Sequence, residues 1–241
     1  MRKTIFLNKG ITVLIVSAGG VGTTFLIEAI NKYKVTNCKN NTDGYKHIPI
    51  PPISFNKNLR VVYVYGSPIH ACISLFRRKY HHTQSIVVQK FLKEKYIIPF
   101  EMTLEEYVSN GKDCLLFEQH FNNWQQHYPL YPTLFLKYEN IHDSLNTLAI
   151  FLDLPDSFVK NFPTKRTRKS SVQTLSPSAL KHLNKLYHSF DKKIGTMPKY
   201  SINDAQKGIF SIKTGFSPLY RQALADAFFQ HFPLLRKTLQ S

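Results

Sequence analysis

Acidic side chains are scarce in this sequence: 15 Asp and Glu stand against 32 Lys and Arg in 241 residues, a formal charge of +17. So few carboxylates argue against chemistry built on a carboxylate pair, and the basic excess points to an anionic partner. A nucleotide, a polyanionic substrate, nucleic acid or an acidic membrane surface would each satisfy that charge. Cysteine is scarcer still. Cys38, Cys72 and Cys114 form an odd, dispersed set, which argues against a disulfide framework and fits a reducing compartment. No close-spaced His and Cys set suggests zinc, so no metal is expected. Apolar runs long enough for a membrane helix, ~20 residues, are missing, and no integral membrane contact is expected. Arg2 and Lys3 precede an apolar stretch, yet no small-residue cleavage site follows it, and a cytoplasmic location is the expectation. Repeats, low-complexity tracts and linker-like segments are also lacking, so residues 1–241 are read as a single domain.

What the chain does have is a 43% hydrophobic and 13% aromatic composition, typical of a folded protein, and one dominant stretch from Ile11 to Ile30. Ile11, Val13, Ile15 and Val16 lie in an apolar, β-branched run that reads as a strand buried on both faces. Ser17 ends it. Ala18, Gly19, Gly20, Val21 and Gly22 form a tight loop, and from Thr23 onward Phe25, Leu26, Ala29, Ile30 and Tyr33 recur at helical spacing. A strand, a Gly-rich loop and a helix N-terminus in that order make an anion cradle, because unpaired N–H groups and the helix dipole converge on the loop. A phosphate is the expected ligand. The ATP-binding pattern G-x-x-x-x-G-K-[ST] fails here, since Thr23 occupies the Lys position and Ser17 that of the first Gly, and the G-x-G-x-x-G spacing fails as well.

Arg60 to Tyr65 reads as a second buried strand, closed by Gly66 and followed by a helix with Ser67 as N-cap and Pro68 at its first position. Between the two strands runs a polar segment, Asn37 to Gly44, then a Pro-rich loop bearing His47. Arg77 to Lys95 is strongly basic and reads as a solvated face beside a cleft. Thr103 starts a short helix, Glu118 to His127 forms another with Phe121 and Trp124 inward, and Thr133 to Tyr138 is a third strand followed by a helix from Asp143 to Leu152. Strands alternating with helices indicate βαβ units and a parallel sheet. No strand is expected after Pro155, where helices are read at Ser178 to Phe190 and Pro218 to Phe232.

Gly22-Thr23-Thr24-Phe25-Leu26 resembles the G-T-T-W-L core of the sulfotransferase phosphosulfate loop. The resemblance extends in collinear order from Ile11 to Ser171. Val61 to Pro68 with Ser74 is similar to the family's second motif, which binds a 3′-phosphate. Thr133 to Asn140 is similar to its LFLxYED strand, and Trp124 falls where the family often has a Trp. His47-Ile48-Pro49 is similar to H-L-P, whose His is the catalytic base, and Arg168-Lys169-Ser170-Ser171 is weakly similar to a late R-K-G element. The resemblance implies an α/β protein with a three-layer P-loop-like fold, a central parallel sheet flanked by helices, and a helical C-terminal part. It implies 3′-phosphoadenosine 5′-phosphosulfate as sulfuryl donor and a hydroxyl-bearing acceptor, carbohydrate and acidic compounds being candidates; nucleic acid is disfavoured and the oligomeric state is left open.

By the same resemblance, Gly19, Gly20, Val21, Gly22, Thr23 and Thr24 with Ser74, Arg77, Arg78 and Arg168 would bind the donor, and His47 would be the base, an imidazole with the ordinary pKa of ~6.5. Two departures stand out. The family's loop cation is replaced by Gly20, and the Arg and Asp of its second motif by Gly66 and His70. Each lost cation removes stabilisation of developing negative charge, a loss of ~100-fold or more in rate unless other cations take over. The alternatives to an active sulfotransferase are a protein of that fold that binds nucleotide or polyanion without turnover, and a P-loop kinase-like or nucleic-acid-binding protein.

Overall fold

Four strands form the centre of the molecule in the order β1 (Val13–Val16), β2 (Arg60–Tyr65), β3 (Thr133–Lys137), β4 (Tyr200–Asn203). The first three are parallel, with Val16 level with Tyr63 and Tyr63 level with Phe135, while β4 runs antiparallel to β3. The computed structural model describes residues 5–8, 10–54, 56–126, 131–165 and 171–203. Eight α-helices lie among them: α1 (Thr23–Ile30), α2 (Pro68–Arg77), α3 (His81–Val88), α4 (Leu104–Ser109), α5 (Phe117–Gln126), α6 (Leu145–Leu152), α7 (Asp156–Lys160) and α8 (Pro177–Thr196).

All of β1 is buried, and β2 is buried from Val61 onward, as sheet interiors covered on both faces require. Tyr63 and Tyr65 project from one face of β2 onto an aromatic cluster, with Tyr63 5.6 Å from Trp124 and Tyr65 5.5 Å from Phe121, both on α5. Phe190 of α8 closes the same cluster 5.7 Å from Phe121. On the opposite face Arg60 stacks over Phe151 of α6 at 5.6 Å, and α1 meets α7 where Tyr33, just past its end, contacts Phe158. Helices on both faces of a mostly parallel sheet give three layers, as expected.

Local chemistry sets the helix starts. Ser67 Oγ accepts the His70 N–H at 3.3 Å with Pro68 behind it, and Thr103 and Glu106 form a reciprocal capping box. One expectation is corrected. β4 exists beyond Pro155: its four residues, Tyr-Ser-Ile-Asn, alternate half-buried and exposed on the sheet edge, a pattern too short and polar to stand out. The Lys and Arg side chains from Arg77 to Lys95 are exposed, as read, while α3 buries His81, Gln84, Ser85 and Val88. The helix read at Pro218 to Phe232 lies outside the described residues, as does Arg168.

The parallel strands all end on one side, so the loop after β1, Gly66-Ser67 after β2 and Tyr138-Glu139 after β3 converge there, the usual ligand side of an open α/β sheet. On the opposite layer Trp124 is 1% exposed, and its Trp124→Ala variant should lose ~3–5 kcal/mol of stability. Urea denaturation followed by circular dichroism checks this; a loss below ~1 kcal/mol would contradict the packing described.

Candidate functional site

Ser17, one residue past β1, sits at the head of the Gly-rich loop. Its N–H donates to Lys46 O at 3.1 Å, and its carbonyl accepts from His47 Nδ1 at 2.9 Å. Its hydroxyl accepts the Gly19 N–H at 3.1 Å and lies 3.5 Å from the Thr23 hydroxyl. The Pro-rich loop is therefore folded back onto the start of the cradle. A carbonyl acceptor requires the proton on Nδ1, which leaves His47 Nε2 as the nitrogen with a free lone pair. Burial is the main reason the His47 imidazole is pushed down to about 3, well below the ordinary value expected from the sequence, so the ring is neutral near neutral pH.

Lys46 places a cation at the other side of the loop. Its ammonium donates to the Thr24 hydroxyl at 2.6 Å and to Lys39 O at 2.7 Å, with the residue only 8% exposed. Burial, then the nearby Arg78 guanidinium, lowers its pKa to about 8, while Glu28 opposes the shift. Nothing in the motif comparison singled out Lys46; the signal available was its place next to His47.

Helix α5 fixes the backbone of the same loop. His120 Nε2 donates to His47 O at 3.4 Å, Trp124 Nε1 to Ile48 O at 3.0 Å, and Asn123 Nδ2 to Pro49 O at 3.0 Å, so three successive carbonyls are held from one helix. Tyr63 O–H in turn donates to His120 Nδ1 at 2.9 Å. Burial pushes His120 down to about 4, which keeps this relay neutral and its donor directions fixed.

The glycines of the loop are pressed against protein. Gly19, Gly20 and Gly22 all have positive φ, near 103°, 75° and 72°. A Cβ on Gly19 would meet Gln84 Cδ at 2.7 Å, one on Gly20 the Ala71 backbone at 2.7 Å, and one on Gly22 the Tyr138 ring at 2.5 Å. Gln84 of α3 also donates to Ala18 O at 2.8 Å. Side chains are thus excluded by α2, α3 and Tyr138 packing onto the loop, while the N–H groups of Gly20 to Thr24 meet no acceptor among the described residues. That set of free donors at the start of α1, which has no capping side chain and no acid in its first turn, fits an anion.

Ser74 is buried on the stripe of α2 that includes Ala71, and Arg78 follows one turn later with its Nε donating to Ser74 O at 3.1 Å. Burial lowers the Arg78 pKa, as does Arg77, while Tyr80, over whose ring Arg78 lies at 5.2 Å, opposes the shift. Both arginines are exposed, and Arg77 lies off that stripe. Gly66 faces a carboxylate: a Cβ there would lie 3.1 Å from both Glu139 oxygens. Among the described residues no group of three or more His, Cys, Asp or Glu is placed to hold a metal ion, and no helix is long and apolar enough to cross a membrane.

Residues 45–207 match the family model of the sulfotransferase domain, two-thirds of the chain. On that match this chain belongs to the sulfotransferase family and is a transferase of that class. No curated protein and no solved structure shows a significant match to it.

The packing at Gly20 generates a test. A cation placed there as Gly20→Lys should lower thermal stability, because the backbone is left-handed and Ala71 occupies the Cβ space. A melting curve checks this. A Gly20→Lys protein that melts as the parent does would contradict the tight contact of α2 with the loop.

Proposed function

We propose that this sulfotransferase uses 3′-phosphoadenosine 5′-phosphosulfate and transfers its sulfuryl group to an acceptor hydroxyl, with Lys46 in the place of the missing loop cation. The observation that carries this reading is the convergence of the Lys46 ammonium at Thr24 and the His47 imidazole at Ser17 on one glycine loop. When bound, the donor supplies a sulfuryl group on a phosphate leaving group, and in-line transfer needs orientation, a base and cations.

The N–H groups of Gly20 to Thr24 hold the 5′-phosphate, as helix N-termini hold anions generally. Lys46, already aimed at Thr24, neutralises the charge that builds on the leaving phosphate. Ser74 and Arg78 serve the 3′-phosphate, since Glu139 makes the Gly66 side unfavourable for an anion. His47 Nε2 takes the acceptor proton, with Nδ1 tied to Ser17 and the loop carbonyls tied to α5. Burial of His47 weakens it as a base in the free protein; fixed orientation is what the three carbonyl clamps supply.

Lys46→Met should weaken bisphosphate binding ~10- to 100-fold, the range for losing a charge-assisted hydrogen bond. In the parent protein affinity should be level near neutral pH and fall as pH rises through about 8, since a Lys with a lowered pKa loses its charge there. Calorimetry across pH checks both; an alkaline fall that persists unchanged in Lys46→Met would assign it to another group. His47→Ala should lower turnover of labelled sulfate ~100- to 10,000-fold while leaving bisphosphate affinity intact. Parental turnover in that variant would remove His47 from the base role, and bisphosphate binding without any turnover in the parent would favour a binding protein of this fold.

A further inference from the structure

Of eight large hydrophobic side chains exposed among the described residues, four lie between residues 80 and 100: Tyr80, Ile86, Tyr96 and Phe100. The same stretch is basic. Arg77, Arg78, Lys79, Lys90, Lys93 and Lys95 stand there against Glu94 and Glu101. Exposed apolar residues scattered singly carry no message, but a cluster of them rimmed by charge marks an interaction surface.

Residues 96–98 run alongside α3 because three of its side chains hold their backbone. His82 Nδ1 donates to Ile98 O at 2.7 Å, and Ser85 Oγ accepts the Ile98 N–H at 3.0 Å. The Gln89 amide pairs with both backbone groups of Tyr96, at 2.7 and 3.0 Å. Phe100 lies at the start of the same helix, 6.2 Å from the His82 ring. At about 100° per residue, Ile86 comes next round the helix from the flank made by His82, Ser85 and Gln89, and the exposed Thr83 and Lys90 follow. Ile86, Tyr96 and Phe100 therefore share one side of α3, and each is between 43% and 49% exposed. Tyr80 stands apart from them, its ring beneath Arg78.

Lys90, Lys93 and Lys95 are exposed, and none has a carboxylate within ion-pair distance among the described residues. Lys112 adds a fourth ammonium, over the Tyr96 ring. A partner that is anionic at its surface and apolar just beneath it matches both sets of side chains. We infer that this face, α3 with residues 90–100, docks on the surface of an anionic lipid bilayer. The lysines meet the headgroups, while Ile86, Tyr96 and Phe100 enter the boundary between headgroups and acyl chains. Nucleic acid would satisfy the lysines and stack on the two rings, but it offers the aliphatic Ile86 nothing. Three apolar side chains make the contact peripheral and reversible. The inference does not rest on the transfer reading.

The test sediments the full chain with vesicles of phosphatidylcholine, alone or mixed three to one with phosphatidylserine. The mixed vesicles should bind at least ~10-fold more tightly than the neutral ones. Because a chain of charge +17 is drawn to any anionic surface, two triple variants of equal charge are compared. Lys90→Gln, Lys93→Gln and Lys95→Gln together should weaken binding ~100-fold, at about fivefold per lysine. Lys32→Gln, Lys57→Gln and Lys160→Gln, on other exposed surfaces, should weaken it less than ~3-fold. Ile86→Ser with Phe100→Ser should cost ~10-fold or more, with circular dichroism confirming the fold. Phe100→Trp adds a reporter to a chain whose one native Trp, Trp124, is buried. Its emission should shift to the blue on mixed vesicles and be quenched by brominated acyl chains. Equal losses in the two triple variants, parental affinity in the double Ser variant, or unchanged Phe100→Trp emission would each overturn the inference. So would a thymidine oligonucleotide bound more tightly than the mixed vesicles through the same three lysines, which would make this a nucleic-acid face.

Discussion

Two hydrogen bonds between Ser17 and the Lys46-His47 pair hold the candidate site together. Ser17 N–H and C=O would otherwise be open backbone groups at the end of a buried strand, and pairing them with Lys46 O and His47 Nδ1 satisfies them in the way sheet pairing satisfies the strand before. The consequence is chemical as well as structural. One residue sets the tautomer of His47, brings Lys46 into reach of Thr24, and shapes the first turn of the glycine loop through Gly19. Helix α5 fixes the far side of the same loop, so the imidazole is held from its ring and from its backbone.

The charge pattern follows from that docking. A sequence with 32 basic residues places many of them at the surface, but Lys46 is buried beside a second cation, an arrangement that is unfavourable in a protein without an anion to share. Unpaired N–H groups from Gly20 to Thr24 add to the same field. A dianionic phosphate would relieve both at once, and this accounts for how the fold tolerates Gly20 where relatives of the resembled type carry a cation. In the proposed reading Lys46 supplies that charge from another segment, and α2 packs against the Gly20 position through Ala71.

Much of this was readable from the chain. The β-branched run, the glycine cluster and the helix after Thr23 have local signatures, and so do the Ser67 and Thr103 caps, because their physics acts within a few residues. Lys46 escaped notice because its partner Thr24 is 22 residues away and no spacing rule links an extended loop to a helix start. Gln84 and Tyr138 escaped for the same reason: their contacts with Gly19 and Gly22 exist only once α3 and the end of β3 are brought to the loop. The tight glycine loop was legible, but not that its Cβ positions face Gln84, Ala71 and Tyr138. β4 was missed because a four-residue polar edge strand carries little pattern, and its pairing with β3 supplies what its sequence does not.

A crystal structure with 3′-phosphoadenosine 5′-phosphate bound tests the proposed role of Lys46 most directly. The 5′-phosphate should lie on the N–H groups of Gly20 to Thr24 with Lys46 Nζ within hydrogen-bond distance of a phosphate oxygen, ~2.7–2.9 Å. A phosphate held at that loop by another cation, with Lys46 still bound only to Thr24 and Lys39, would contradict it.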